Sequence, residues 1–341
     1  MLDSAAGSNP VSRIVAPALT ASLAFLFVAV TIRRLFPPYV PTVTHKLAFF
    51  TQHKDEFDTL FIGSSHFFYG VSPKVFDETL RQAGVPSHSF NAAVSAMGPP
   101  ESIEWAFTLL AQKPRNLRRV FMEIFFLQPL PKFAEPTVRD IYWQDLGSLA
   151  FGFHQARFEW PWAHQLAIHD LETYPKFYAW NFSNLGRGLD WFGASPSLNP
   201  MIFGGGGDDF GPDHDGFLQV PLSIPPNQRA KYHEDLKKQA DSLRNPQVSL
   251  RLYRFDRLRT ALEAKGIALY LVAAPSLKLN VSTSPSDCPP GILFRYDDPA
   301  KFPNLFRDDR RFNPDHLNIT GAREFTRALA EDYLRRLRQS H

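Results

Sequence analysis

The longest apolar run in the chain lies near its start. Ile14 to Ile32 (IVAPALTASLAFLFVAVTI) carries no charge over about the length a helix needs to cross a roughly 30 Å hydrocarbon layer. The run predicts a transmembrane helix. Pro17 falls in its first turn, where a missing N–H costs little, and Arg33 and Arg34 end it abruptly. A buried soluble helix would show a polar face, and a cleaved leader would have a shorter apolar core and a small-residue cleavage site, so an uncleaved anchor is expected. Residues 1–13 then form an N-terminal tail and 14–34 the anchor. Residues 35–56, with Pro37, Pro38 and Pro41, read as a tether that runs into a short amphipathic segment.

From Phe57 the pattern changes to short apolar runs separated by helical periodicity. Phe57 to Gly63 (FDTLFIG) reads as a buried strand entering a Gly-Ser-Ser turn, with a helix starting after Pro73. His88 to Ala93 and Arg119 to Phe126 (RVFMEIFF) are further strands, separated by a helix over Glu101 to Ala111. After a helical region from Gln228 to Ala264, interrupted near Pro246, Ile267 to Ala274 (IALYLVAA) is another strand, and Ala322 to Arg338 closes the chain as an amphipathic helix. Alternating strands and helices predict an α/β fold, a three-layer sandwich around a mainly parallel sheet. The rhythm fails between about 129 and 226, a stretch rich in Trp, His, Gly and Pro that reads as an inserted cap within a domain of 57–341.

Composition narrows the function. The 37 basic and 34 acidic side chains nearly balance, so neither a nucleic-acid coat nor an acidic tail is expected. A hydrophobic share of 44% and 31 Phe supply material for a large aromatic core. Cys288 is the single cysteine, which excludes an intramolecular disulfide framework and any multi-cysteine metal site. His164, His169 and Asp170, and the run Asp208, Asp209, Asp213, His214 and Asp215, hold metal-ligating types without the spacing of a known site; they read as polar cap loops. No metal or cofactor is expected. Gly204 to Gly207 lacks the Gly-Lys-Ser/Thr of a phosphate loop. Trp160, Trp162, Trp180 and Trp191 either pack within the cap or offer stacking surfaces to sugar rings.

In an open parallel sheet, ligands gather at the carboxyl ends of strands, and Ser64 and Ser65 directly follow the first one. His316 lies in the loop before the last helix, another edge where functional side chains converge. A serine with a histidine to take its proton makes a nucleophile. The structural alternative is that Ser64 or Ser65 caps a turn and His316 caps the helix. Glu123, on a buried strand, reads either as a functional carboxylate or as a paired polar residue.

The block Phe61-Ile-Gly-Ser-Ser-His66, with Gly70 and Pro73, resembles the first block of the SGNH, or GDSL-like, hydrolases, and Asn313-Pro-Asp-His-Leu-Asn-Ile-Thr-Gly321 resembles their last. Phe90 to Gly98 (FNAAVSAMG) is similar to the second block, and Arg119 to Phe126 to the strand before the third, so the resemblance covers about 57–126 and 266–335. It implies a flavodoxin-like SGNH fold, Ser65 as nucleophile and first oxyanion donor, and His316 as general base. The family's acidic residue falls at Asn313, which can accept a bond from the ring but supplies no charge; Asp315 is the nearest substitute carboxylate. The block-three Asn is missing, leaving Gly98 and the Gln128 amide as further oxyanion donors. Without a carboxylate the template predicts a loss of up to about 10⁴ in turnover, and an unreplaced oxyanion donor about 10² to 10³.

These departures resemble the membrane-anchored, cell-envelope branch, including proteins of alginate O-acetylation and D-alanyl transfer. The implied activity is a serine esterase or O-acyltransferase acting on acyl esters of an envelope glycan, with no cofactor. The implied setting is the bacterial inner membrane, single-pass, with the globular part in the periplasm and a membrane-protein partner allowed. Counting Arg33 and Arg34 against Arg13 argues the reverse orientation by one charge, which would give a cytoplasm-facing lipid esterase. A third expectation keeps the fold without the chemistry: an inactive protein that binds a glycan or assembles with a membrane partner.

Overall fold

A computed structural model of the chain describes residues 10–35, 40–95, 97–124, 146–159, 164–183, 209–244, 248–249, 255–277, 281–282 and 292–339. Two compact units emerge. One contains helix α1 (Pro10–Leu35) with α6 (Leu146–Glu159) and α7 (His164–Ser183); the other holds every described strand and the remaining described helices.

Residues Ile14–Ile32 of α1 are long and apolar enough to cross a membrane. Among the described residues of that span Ala29 alone is buried. Helices α6 and α7 form a hairpin packed on each other, and α7 packs on α1.

The second unit begins earlier than the pattern suggested. Residues placed in the tether form helix α2 (Pro41–His53), whose Val43, Lys46 and Phe50 are buried, so the folded body starts at Pro41 and not at Phe57. Its sheet contains β1 (Thr59–Ile62), β2 (Ser89–Asn91), β3 (Arg119–Glu123), β5 (Ala268–Ala273) and β7 (Leu293–Arg295) in the order β2-β1-β3-β5-β7. Every pairing in it is parallel. The short strands β4 (Val248–Ser249) and β6 (Val281–Ser282) pair separately. Helices α3 (Ser65–Phe68), α4 (Pro73–Gln82), α5 (Pro99–Ala111), α8 (Pro226–Arg244), α9 (Asp256–Glu263) and α10 (Ile319–Gln339) belong to the same unit.

Parallel strands covered on both faces should be apolar throughout, and β1 and β3 are buried at every position. Register places Phe61, Phe121 and Tyr270 side by side across three strands. Their rings stack at 5.3 and 5.0 Å, and Phe76 of α4 and Tyr333 of α10 meet Phe121 edge-on at 5.3 and 5.5 Å. Helices α5 and α9 pack on each other and against β1 and β5.

The stretch expected as one cap over 129–226 is not one body. Its described helices α6 and α7 group with α1, whereas residues 209–224 are built into the α/β unit: Phe217 and Ile224 are buried, Asn91 N–H donates to Asp215 O, and Leu218 N–H donates to Phe68 O.

Candidate active site

The strand order reverses direction about β1, so the carboxyl ends of β1 and β3 border the crevice where doubly wound sheets hold ligands. Gly63 follows β1 directly. A Cβ at this position would stand 2.6 Å from both Cβ and Oε2 of Glu123, the last residue of β3, so glycine is what allows the carboxylate to close on the turn. Glu123 is 1% exposed; its Oε2 accepts from Ser64 N–H at 2.6 Å and its Oε1 lies 2.7 Å from His66 Nδ1. Ser64 caps α3, its Oγ accepting from His66 N–H at 3.2 Å.

Ser65 begins α3 and is only half-buried. Its Oγ stands 2.7 Å from His316 Nε2, across 251 positions of sequence. The opposite ring nitrogen, Nδ1, is 2.9 Å from Asn313 Oδ1. That same oxygen accepts from the backbone N–H groups of Asp315 and His316, both at 2.9 Å. Two backbone donors fix which end of the amide faces the ring, because a flipped amide would present N–H to N–H. Oδ1 therefore accepts from Nδ1–H, which leaves the Nε2 lone pair facing the Ser65 hydroxyl. Phe312 stacks on the His316 ring at 5.5 Å, His66 stacks at 5.3 Å, and Tyr69 meets it edge-on at 5.5 Å.

Asp315, the substitute carboxylate expected from sequence, has its charge acting on Arg311 and Lys231, and the Nδ1 acceptor is Asn313 instead. The oxyanion donors also differ from expectation. Gly98 N–H is taken up by Glu101 Oε2 at 2.8 Å, in the capping box that starts α5. Gln128 lies outside the described residues. Of the three amides through the turn, Ser64 N–H serves Glu123 and His66 N–H serves Ser64 Oγ, while Ser65 N–H occupies the first turn of α3, where helix amides have no intrahelical acceptor.

Around this centre two buried polar residues tie the loops together. Asn91 Nδ2 donates to Phe67 O and Val71 O, and its Oδ1 accepts from Ala93 N–H. Lys46 of α2 is fully buried and donates from Nζ to the carbonyls of Asn91, Ala93 and Gly216 at 2.8, 2.8 and 2.9 Å. Three acceptors match the three N–H bonds of an ammonium, one more than a neutral amine offers. Burial lowers Lys46 to about 7, opposed by the charges of Asp209 and Asp215.

The chain matches no family model, no curated protein and no solved structure.

The acidic run beside the cap serves as scaffold: Asp209 accepts from Thr42 Oγ1 and pairs with His45, Asp213 pairs with Lys74, and Asp215 accepts from Phe217 N–H. Among the described residues no group of three His, Cys, Asp or Glu side chains converges on a metal site. Sequence reasoning gave His66 and Lys46 no role. His66 was visible as part of the Gly-Ser-Ser-His block, but its pairing with Glu123 spans two strands. Lys46 left one signal, a single Lys among the apolar positions Val43, Leu47, Phe49 and Phe50.

Proposed function

We propose that the protein is a membrane-anchored, SGNH-like serine esterase or O-acyltransferase that acts on acyl esters of a cell-envelope glycan. The observation that carries this reading is the 2.7 Å contact between Ser65 Oγ and His316 Nε2, with Nδ1 held by Asn313. His316 takes the hydroxyl proton as Ser65 Oγ attacks the acyl carbonyl, and Ser65 N–H receives the developing oxyanion. Collapse breaks the ester bond and forms the acyl-serine; the departing alcohol oxygen takes the proton from Nε2. Water or a sugar hydroxyl then gives its proton to Nε2, attacks the acyl-serine and restores the Ser65 hydroxyl. On this reading the N-terminal span holds the enzyme in a bacterial inner membrane with the α/β unit in the periplasm.

Asn313 need not carry the loss of about 10⁴ expected from the sequence, because that loss belongs to a wrong tautomer and the Asn313 amide supports the right one. A fluorophosphonate should label Ser65 in the full-length chain. Ser65→Ala should abolish labelling and lower ester turnover by at least about 10³; labelling that survives the substitution would end the proposal.

A second reading is favoured by the Gly98 amide, already committed to Glu101. Of the expected oxyanion donors that fall among the described residues, Ser65 N–H alone is left. The second reading makes the protein a binder of envelope glycan that keeps the fold. Glycan binding unchanged by His316→Ala, with no turnover in the parent chain, would select it.

A further inference from the structure

Helix α7 carries two apolar stripes. Ala167, Tyr174 and Phe177 are buried within the unit of α1, α6 and α7. Beside them, at steps of three and four, run Ile168, Leu171, Pro175, Tyr178 and Phe182. Ile168 is 43% and Leu171 38% exposed, Tyr178 and Phe182 are half-buried and their rings stack on each other at 6.1 Å. Glu172 and Lys176 are exposed at the outer edge of this second stripe. A surface helix in water would be expected to turn polar side chains outward along that line.

The attachment point of α7 identifies what covers it. The helix packs on α1, and the buried residue of the α1 span is Ala29, three positions before the span ends at Ile32 and four before Arg33. Since Ala29 is the one buried residue among the described residues of the span, we infer that α7 meets α1 near the end of the span, at the boundary between acyl chains and headgroups. Trp180 on α7 agrees, since this amphipathic ring is enriched at that depth. Lys176 Nζ lies 4.4 Å from the centre of the Trp180 ring, a basic head beside an aromatic body as interfacial helices present them.

We propose that the α6–α7 hairpin is an interfacial membrane element, with the Ile168–Leu171–Tyr178–Phe182 stripe of α7 immersed in lipid. The protein then has a second hold on the bilayer besides its span. The inference rests on α1 crossing the membrane and is independent of the Ser65–His316 chemistry.

Spin labels report depth through collision with oxygen, which concentrates in lipid, against a water-soluble nickel chelate. Full-length protein carrying Cys288→Ser is labelled through single Cys substitutions and reconstituted into phosphatidylethanolamine–phosphatidylglycerol vesicles. Labels at Leu23 in the span, and at Leu171 and Tyr178 on the stripe, should favour oxygen; labels at Glu172, Lys176 and Lys237, the last on α8 of the α/β unit, should favour the chelate. If Leu23 favours oxygen while Leu171 and Tyr178 behave like Lys237, the hairpin proposal fails and the span survives. If Leu23 itself favours the chelate, the span fails and the hairpin with it. Shielding of Leu171 and Tyr178 from both reagents would mean that protein covers the stripe, which also overturns the proposal.

Discussion

Asn313 does three things with one oxygen: it holds the amides of Asp315 and His316 and accepts from the imidazole. Geometry and tautomer are thereby supplied, and negative charge is not. Asn313→Asp keeps all three bonds and adds that charge, so kcat/KM on a model ester should rise by up to about tenfold, equivalent to about 1.4 kcal/mol of imidazolium stabilisation. A fall would mean that the neutral acceptor is matched to this site. Glu123 acts at one remove from the reacting pair. Its two oxygens lock Ser64 and His66, and the His66 ring lies against His316, so the carboxylate governs where Ser65 sits without touching it. The residue types were legible in the sequence; which carboxylate meets which ring was not, because Glu123 reaches His66 through the pairing of β1 with β3, a contact between positions 57 apart.

Helix α2 was half legible. Its apolar positions were visible, but the proline-rich approach disguised a packed helix as a tether; buried Val43 and Phe50, the Asp209 contacts and the partners of Lys46 together explain why it docks. Its ammonium gathers carbonyls from the end of β2 and the loop after it, and from Gly216, whose φ of +88° suits glycine alone. Burial that lowers Lys46 from 10.5 to about 7 makes the unfolded chain bind the proton more readily than the folded one over that window. Stability should therefore be lost as pH falls from 10.5 to 7 and gained as it rises, by at most about 1.4 kcal/mol per pH unit for one proton. Asp215, raised by burial to about 6, changes its contribution only below that value. Urea unfolding of the detergent-solubilised chain at about pH 7, 8 and 9 should show a rising stability that Lys46→Met removes; parallel slopes in the two proteins would contradict the linkage.

Taken as a molecule, the chain carries its sheet, its Ser-His pair and its C-terminal helix in one unit and its long apolar helix in another. The proposed envelope substrate requires the α/β unit on the periplasmic side, and charge counting opposes that placement by a single residue. A β-lactamase fused after His341 should protect cells from ampicillin if the unit is periplasmic; sensitivity, with the fusion expressed at full length, would place it in the cytoplasm. By itself the sequence marked the long apolar helix, the strands β1, β2, β3 and β5 and the helices α4, α5 and α10, because each is written in local periodicity; it offered Ser64, Ser65 and His316 as candidates, and only the resemblance of a short block singled out Ser65. Tertiary structure decided the rest: that Asn313 and not Asp315 holds the imidazole, that Gly98 spends its amide on Glu101, and that 209–224 belongs to the α/β unit while α7 belongs with α1. Asn313 and Glu101 lie only three positions from the groups they hold, but the loop conformation chooses among neighbouring acceptors; the grouping of 209–224 and of α7 depends on contacts between positions far apart along the chain, which a linear pattern does not fix.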